Sequence, residues 1–131
     1  MKKQNYNKIF VALDIHETIM KPTWSCNLSE NFYKYAKKSL QLLSKNKNVC
    51  LIIWSCSTDE NNVKYKSFFK ENNIHIDYIN ENPEIKSEYY ANFETKLYFD
   101  VGMDDKFGFK PKEWFFIYYY LILRNLFKSE K

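Results

Sequence analysis

Ile9-Phe10-Val11-Ala12-Leu13-Asp14-Ile15-His16-Glu17-Thr18 is the stretch that decides the fold. Residues 8–14 are mostly apolar, short and partly β-branched, and they end on a carboxylate. A continuous apolar run of that length is the pattern of a strand buried on both faces, as parallel strands are under a layer of helices. The pattern recurs twice. Val49 to Trp54 is apolar and ends in Ser55-Cys56-Ser57-Thr58, and Leu97 to Met103 is largely apolar and ends in Asp104-Asp105. Ligands of parallel α/β sheets bind beyond the carboxyl ends of the strands. Carboxylates gathered there repel one another unless a cation lies between them, and Mg²⁺ with a phosphate is the usual occupant of such an oxygen-rich place.

Helical spacing fills the intervals. Asn27-Leu28-Ser29-Glu30 reads as a capping box that opens a helix running to about Ser44, with Phe32, Tyr35, Ala36, Leu40 and Leu43 recurring on one face. Asn46-Lys47-Asn48 is a turn. Ser57, Thr58 or Asp59 caps a second helix over about 59–72, with Val63, Phe68 and Phe69 inward. Residues 74–79 alternate as a half-buried strand, residues 80–84 are loop, and 84–96 fit a short helix or ordered coil. Pro111 starts a last helix to about Lys128, with Glu113 near the positive end of its dipole. Residues 16–26, which include Pro22, form a loop or short hairpin above the first strand. The order β-α-β-α-β-β-α predicts one α/β domain over 1–131, a three-layer Rossmann-like architecture with a mainly parallel sheet.

The 131 residues suffice for a single sizeable core. A net charge of +4 permits attraction to an anionic substrate without arguing for nucleic acid. The lysines are scattered along the sequence and read as solvated surface. The abundance of Lys, Asn, Ile, Phe and Tyr matches A/T-rich coding. Cys26, Cys50 and Cys56 lack metal-type spacing; Cys50 and Cys56 read as small buried residues in a reducing compartment. The polar start Gln4-Asn5-Tyr6-Asn7 gives no signal peptide, and Trp114 to Leu123 is about half a membrane span, so a cytoplasmic protein is expected.

The residues at the strand ends then come into order. Thr18 follows Asp14 at four residues, Ser55 ends the second strand, a lysine precedes the last strand, and the acidic pair follows it. An aspartate that attacks phosphorus needs such company: a cation to offset charge, donors for the phosphoryl oxygens, and an acid/base nearby. In these motifs the chain resembles the haloacid dehalogenase (HAD) superfamily of phosphohydrolases, over roughly residues 8–110. The family's first motif, Asp-x-Asp-x-Thr after an apolar strand, stands here as Asp14-Ile15-His16-Glu17-Thr18. Its second is matched by Leu51-Ile52-Ile53-Trp54-Ser55 and its fourth by Asp104-Asp105.

The resemblance implies a Mg²⁺-dependent phosphatase working through an aspartyl-phosphate. Asp14 would be the nucleophile and a metal ligand, the His16 carbonyl and Asp104 further ligands, with Asp105 ligating through water or orienting Asp104. Ser55 and Thr18 would serve the phosphoryl group. Lys96, or alternatively Lys86, would neutralise the nucleophile–phosphate pair. His16 departs from the family's pattern, which has an acid/base Asp there. Its imidazole could do that work at neutral pH, or it could contribute only its carbonyl. Glu17 should point away from His16 if the chain is extended there. A domain that binds metal or phosphate without turnover is the other implied outcome.

The insertions after the first strand and before the third motif are short, which resembles the capless type with an open site. Such a site suits a large phosphorylated substrate or cover by an oligomer, and phosphorylated small molecules also fit. The partners implied are a phosphorylated small molecule or macromolecule and no membrane, with nucleic acid permitted but unsupported. Trp24, in the loop above the site, is a candidate to border the substrate, with a structural role as the other reading, and Trp54 is expected to lie in the core. Phe115-Phe116 and Tyr118-Tyr119-Tyr120 are expected to pack the last helix on the sheet, and His75 to be a strand residue without ligand function.

Overall fold

The computed structural model describes residues 8–23, 29–85 and 97–129, with side chains in the last stretch through Arg124. The elements are β1 (Ile9–Leu13), α1 (Ala36–Lys45), β2 (Val49–Ile53), α2 (Asp59–Glu71), β3 (Tyr78–Ile79), β4 (Val101–Met103) and α3 (Trp114–Ser129). Single 3-10 turns at Asp105–Phe107 and Pro111–Glu113 lead from β4 into α3. The four strands form one sheet in the order β3-β2-β1-β4, every pairing parallel. Ile9 to Leu13 lie opposite Val49 to Ile53, and Leu13 lies opposite Met103 on the other side.

Side chains alternate between the two faces of this sheet. Val11, Leu13, Leu51 and Ile53 meet Ala36 and Leu40 of α1, Tyr65 and Phe69 of α2, and Trp114 of α3 in one buried cluster. Phe10, Cys50 and Ile52 face the other way, onto Ile85, Leu97, Tyr98 and Phe99. The connectivity explains the division. The chain steps outward from β1 to β2 to β3, and right-handed crossovers put both connecting helices on one face. β4 lies beyond β1, and the described residues on either side of the return to it, Ile85 and Leu97 to Phe99, pack on the opposite face. The strand order therefore switches between β1 and β4.

Local chemistry sets the boundaries. Thr58 accepts the Asn61 N–H at 3.2 Å and caps α2, while Glu113 reaches back to the Lys110 N–H at 2.6 Å beside Pro111. Gly102 lets the stacked Phe99 and Phe107 rings close over β4; a Cβ there would come within 2.8 Å of Phe99.

Several expectations change. The first helix begins at Ala36 rather than near Asn27, because the preceding residues are used tertiarily. Lys21 N–H bonds the Asn31 carbonyl at 2.8 Å and Tyr33 N–H the Ile19 carbonyl at 2.9 Å. Those bonds make a small antiparallel pairing, with Met20 bridged to Phe32, and Tyr35 turns the chain into the helix at a left-handed φ of 69°. Val63 is exposed on α2, and Tyr65 takes the inward position. Only Tyr78 and Ile79 of the 74–79 stretch pair as strand, although Ile74 and Ile76 are buried as the alternation expects. Cys50 is buried but Cys56 is exposed. Trp54 is 38% exposed rather than core, since the chain leaves the sheet after Ile53. On α3, Trp114 supplies the buried anchor, whereas Phe115, Phe116, Tyr119 and Tyr120 are exposed. No helix among the described residues is long and apolar enough to cross a membrane.

Candidate metal centre

The carboxyl ends of β1, β2 and β4 open into a cleft of about 680 Å³. Its lining includes Asp14, His16 and Glu17 after β1, Trp54 and Ser55 after β2, and Asp104, Asp105 and Lys106 after β4. Asp14 and Asp104 stand on either side of the point where strand order reverses, the place where open parallel sheets bind their ligands. Oxygens of Asp14, Asp104 and Asp105 all lie within 4.8 Å of one another.

Thr18 knits these loops together from below. It is fully buried; its hydroxyl lies 3.4 Å from Asp14 Oδ2, as donor, and accepts the Asp105 N–H at 3.1 Å. The Thr18 carbonyl takes the Trp114 indole N–H at 2.7 Å, which ties α3 to the same loop. The loop itself is a tight turn in which the Ile15 carbonyl collects the N–H groups of Ile19 and Met20. None of the hydrogen bonds among the described residues uses the His16 carbonyl. Asp104 caps the turn after β4 by accepting the Lys106 N–H at 2.9 Å.

Three carboxylates at this spacing resist ionising together. Burial, then the Asp104 charge, then a hydrogen bond to Asp105 push Asp14 up to about 7. Asp105 goes the other way. Burial would raise it, but hydrogen bonds with Asp104, Asp14 and Glu17 and the Lys106 charge hold it below its usual value. Without a cation, Asp14 is therefore the carboxyl of the three whose protonated form is favoured furthest above the usual range. An all-oxygen donor set with excess negative charge is the chemistry that Mg²⁺ accepts, so the residues present fit that ion.

The remaining groups are placed as follows. Ser55 is held by Asn80, whose side chain accepts the Ser55 N–H at 2.8 Å and donates to the Ser55 carbonyl at 2.9 Å. The Ser55 hydroxyl accepts the Ser57 N–H at 3.1 Å. His16 Nε2 lies 2.9 Å from the buried Tyr65 hydroxyl. That hydroxyl oxygen also accepts the Ser29 N–H at 3.2 Å, and either member of the His16–Tyr65 pair can be the donor, according to whether Nε2 carries a proton. Glu17 does not point away from His16. Its φ of 61° is left-handed, not extended, and both side chains line the cleft. Lys86, Lys96 and Trp24 lie outside the described residues. His75 is exposed, with Nε2 3.3 Å from Asp77.

Sequence reasoning passed over Lys106, Asn80, Tyr65 and Trp54. Lys106 directly follows the acidic pair and was the legible one. Tyr65 carries no signal beyond its place on an inward helical face.

No family model matches the chain, and no curated protein matches it. Among solved structures, a conserved protein from Bacteroides thetaiotaomicron is similar at 24% identity, over 95% of this chain and 93% of that one, with a TM-score of 0.66. The shared course of strands and helices is decisive for architecture. The chain has a three-layer, Rossmann-like α/β fold. Its helices cover one face of the parallel sheet, and Ile85, Leu97, Tyr98 and Phe99 pack on the other.

Proposed function

We propose that the chain is a HAD-like, Mg²⁺-dependent phosphohydrolase that works through an aspartyl-phosphate at Asp14. The observation that carries this reading is the convergence of Asp14, Asp104 and Asp105 oxygens within 4.8 Å at the strand-order switch. Asp14, Asp104, the His16 carbonyl and Asp105 would hold the ion, and its charge would favour the ionised form of Asp14 and offset that of the phosphate.

In this scheme an Asp14 oxygen attacks phosphorus while the leaving oxygen departs. His16, as imidazolium, donates its Nδ1 proton to that oxygen while Nε2–H stays on the Tyr65 oxygen, and the bare Nδ1 of the resulting neutral ring then takes a proton from the water that hydrolyses the acyl phosphate. Tyr65, paired with Nε2, leaves Nδ1 as the nitrogen that exchanges protons. Ser55, held by Asn80, donates to a phosphoryl oxygen. Lys106 supplies positive charge at the rim, alongside Lys96 or Lys86 as the family's lysine.

A second reading is binding of metal or phosphate without turnover. The tether of His16 to Tyr65 favours it, because a ring pinned at Nε2 has little freedom to follow two proton transfers. Hydrolysis of a generic aryl phosphate with Mg²⁺ separates the two. The first reading predicts turnover that EDTA and Asp14→Asn abolish and His16→Ala slows by about 10²-fold or more. No Mg²⁺-dependent turnover on a broad phosphate panel refutes it in favour of the second.

A further inference from the structure

Two segments of the chain are basic with almost no acidic residue between the cations. Residues 31–58 contain five lysines and no acidic residue, and residues 106–124 contain Lys106, Lys110, Lys112 and Arg124 against Glu113 alone. The two segments together carry a net charge of +8 against −4 for the rest of the chain, and they pack together through α1 and α3.

A second groove, of about 480 Å³, runs along this face where the start of α1 meets the start of α3. Its cations are Lys21, Lys34 and Lys112, its rings are Tyr33, Tyr35 and Phe115, and no acidic side chain lines it. Tyr35 is presented from a left-handed backbone position, stacked on Tyr118 at 5.3 Å and edge-on to Phe115. Lys34 lies 5.3 Å over the Tyr35 ring. Phe115 and its neighbours Phe116, Tyr119 and Tyr120 continue the aromatic surface beyond the groove.

Cations beside the exposed Phe115 ring and the half-buried Tyr33 and Tyr35 rings match an alternating polymer of phosphates and bases. A recessed groove fits one strand better than it fits a flat lipid surface. The groove also begins beside the carboxylate cleft. Tyr33, which lines it, donates its N–H at 2.9 Å to the carbonyl of Ile19, the residue after Thr18 of the cleft loop, and the charges of Glu17 and Asp105, added to burial, raise its hydroxyl above the usual value.

We propose that this groove binds single-stranded nucleic acid, bases stacked on Tyr35 and Phe115 and backbone phosphates on Lys21, Lys34 and Lys112, with a terminal phosphate directed to the cleft. The last clause rests on the phosphohydrolase reading; the groove itself does not.

The test is fluorescence anisotropy of a labelled oligothymidylate in EDTA, so that binding is read without turnover. Three phosphate contacts give a slope of log affinity against log salt of about −2. Lys34→Glu combined with Lys112→Glu should weaken binding at least tenfold and bring the slope to about −0.7. Hydrolysis of an aryl phosphate by that double variant should match the unaltered protein. Tyr35→Leu should weaken single-strand binding while leaving the salt slope in place, because it removes a stacking ring and no charge. Unchanged affinity in the double variant overturns the proposal, as does equal binding of a duplex of the same length. Preference for phosphatidylserine vesicles, or self-association that the double variant abolishes, also overturns it. Oligonucleotide binding with the expected variant losses but no hydrolysis of any phosphate upholds the groove and removes the enzyme reading alone.

Discussion

Raising the pH on protein freed of divalent cations should weaken the fold, and Asp14 should be the cause. Its carboxyl is raised to about 7 in the folded chain by burial and by Asp104 and Asp105, from an ordinary value of 3.8. The folded state therefore binds more protons than the unfolded state between those values. Stability from this source is fully present below about pH 4 and is lost as pH rises through 7. Asp105 has the opposite sign, its lowered value giving stability that is lost as pH falls below the carboxylate range, so it stays constant above pH 5. An unscreened shift of three units would correspond to about 4 kcal/mol. Asp14 is only partly buried and faces an open cleft, so solvent screening reduces the expected loss to about 1–2 kcal/mol between pH 5 and 8. Urea unfolding at pH 5, 6, 7 and 8 in EDTA measures it. The Asp14→Asn variant, which cannot ionise there, isolates the Asp14 contribution from that of the histidines. Excess Mg²⁺ should restore the lost stability in the unaltered protein and do little for the variant. Equal pH slopes for the two proteins in EDTA would refute the reasoning.

Thr18→Val keeps the side-chain volume but leaves the Asp105 N–H without its acceptor; a destabilisation of about 1–3 kcal/mol is expected by urea unfolding, with weaker Mg²⁺ binding by calorimetry. Asn80→Gly preserves the left-handed backbone (φ 54°) yet removes both hydrogen bonds to Ser55, so KM for a phosphate ester should rise several-fold with little change in Tm. Gly102→Ala should cost about 1–3 kcal/mol, because the new Cβ meets the Phe99 ring at 2.8 Å; wild-type stability in that variant would contradict the close packing over β4.

How much of this was legible in the sequence follows from which physics each residue obeys. β1 and β2 were readable because strands covered on both faces must be apolar throughout, and Leu13 and Ile53 are fully buried. Asp14 and Asp104-Asp105 were readable as neighbours because strand ends at a switch point converge. The start of α1 was not readable, since residues 31–33 form a local pairing with residues 19–21 that no helical propensity reveals. The exposure of Trp54 and of the α3 aromatics was equally hidden. Apolar character marks a residue that gains by burial, but the sheet had already spent its faces on Trp114, Tyr65 and their neighbours. Tyr65 was missed because its hydroxyl gave no signal of its partners, Ser29 and His16, which meet it inside only through the fold.

The central claim is that Asp14 and Asp104 hold a divalent cation across the β1–β4 switch. Diffraction at the manganese edge from a crystal soaked in Mn²⁺, standing in for Mg²⁺, tests it most directly. The account predicts an anomalous peak within about 2.0–2.4 Å of an oxygen of each of those two carboxylates, absent from crystals of Asp14→Asn. A peak bound elsewhere, or a cleft that stays empty at saturating Mn²⁺, would contradict it.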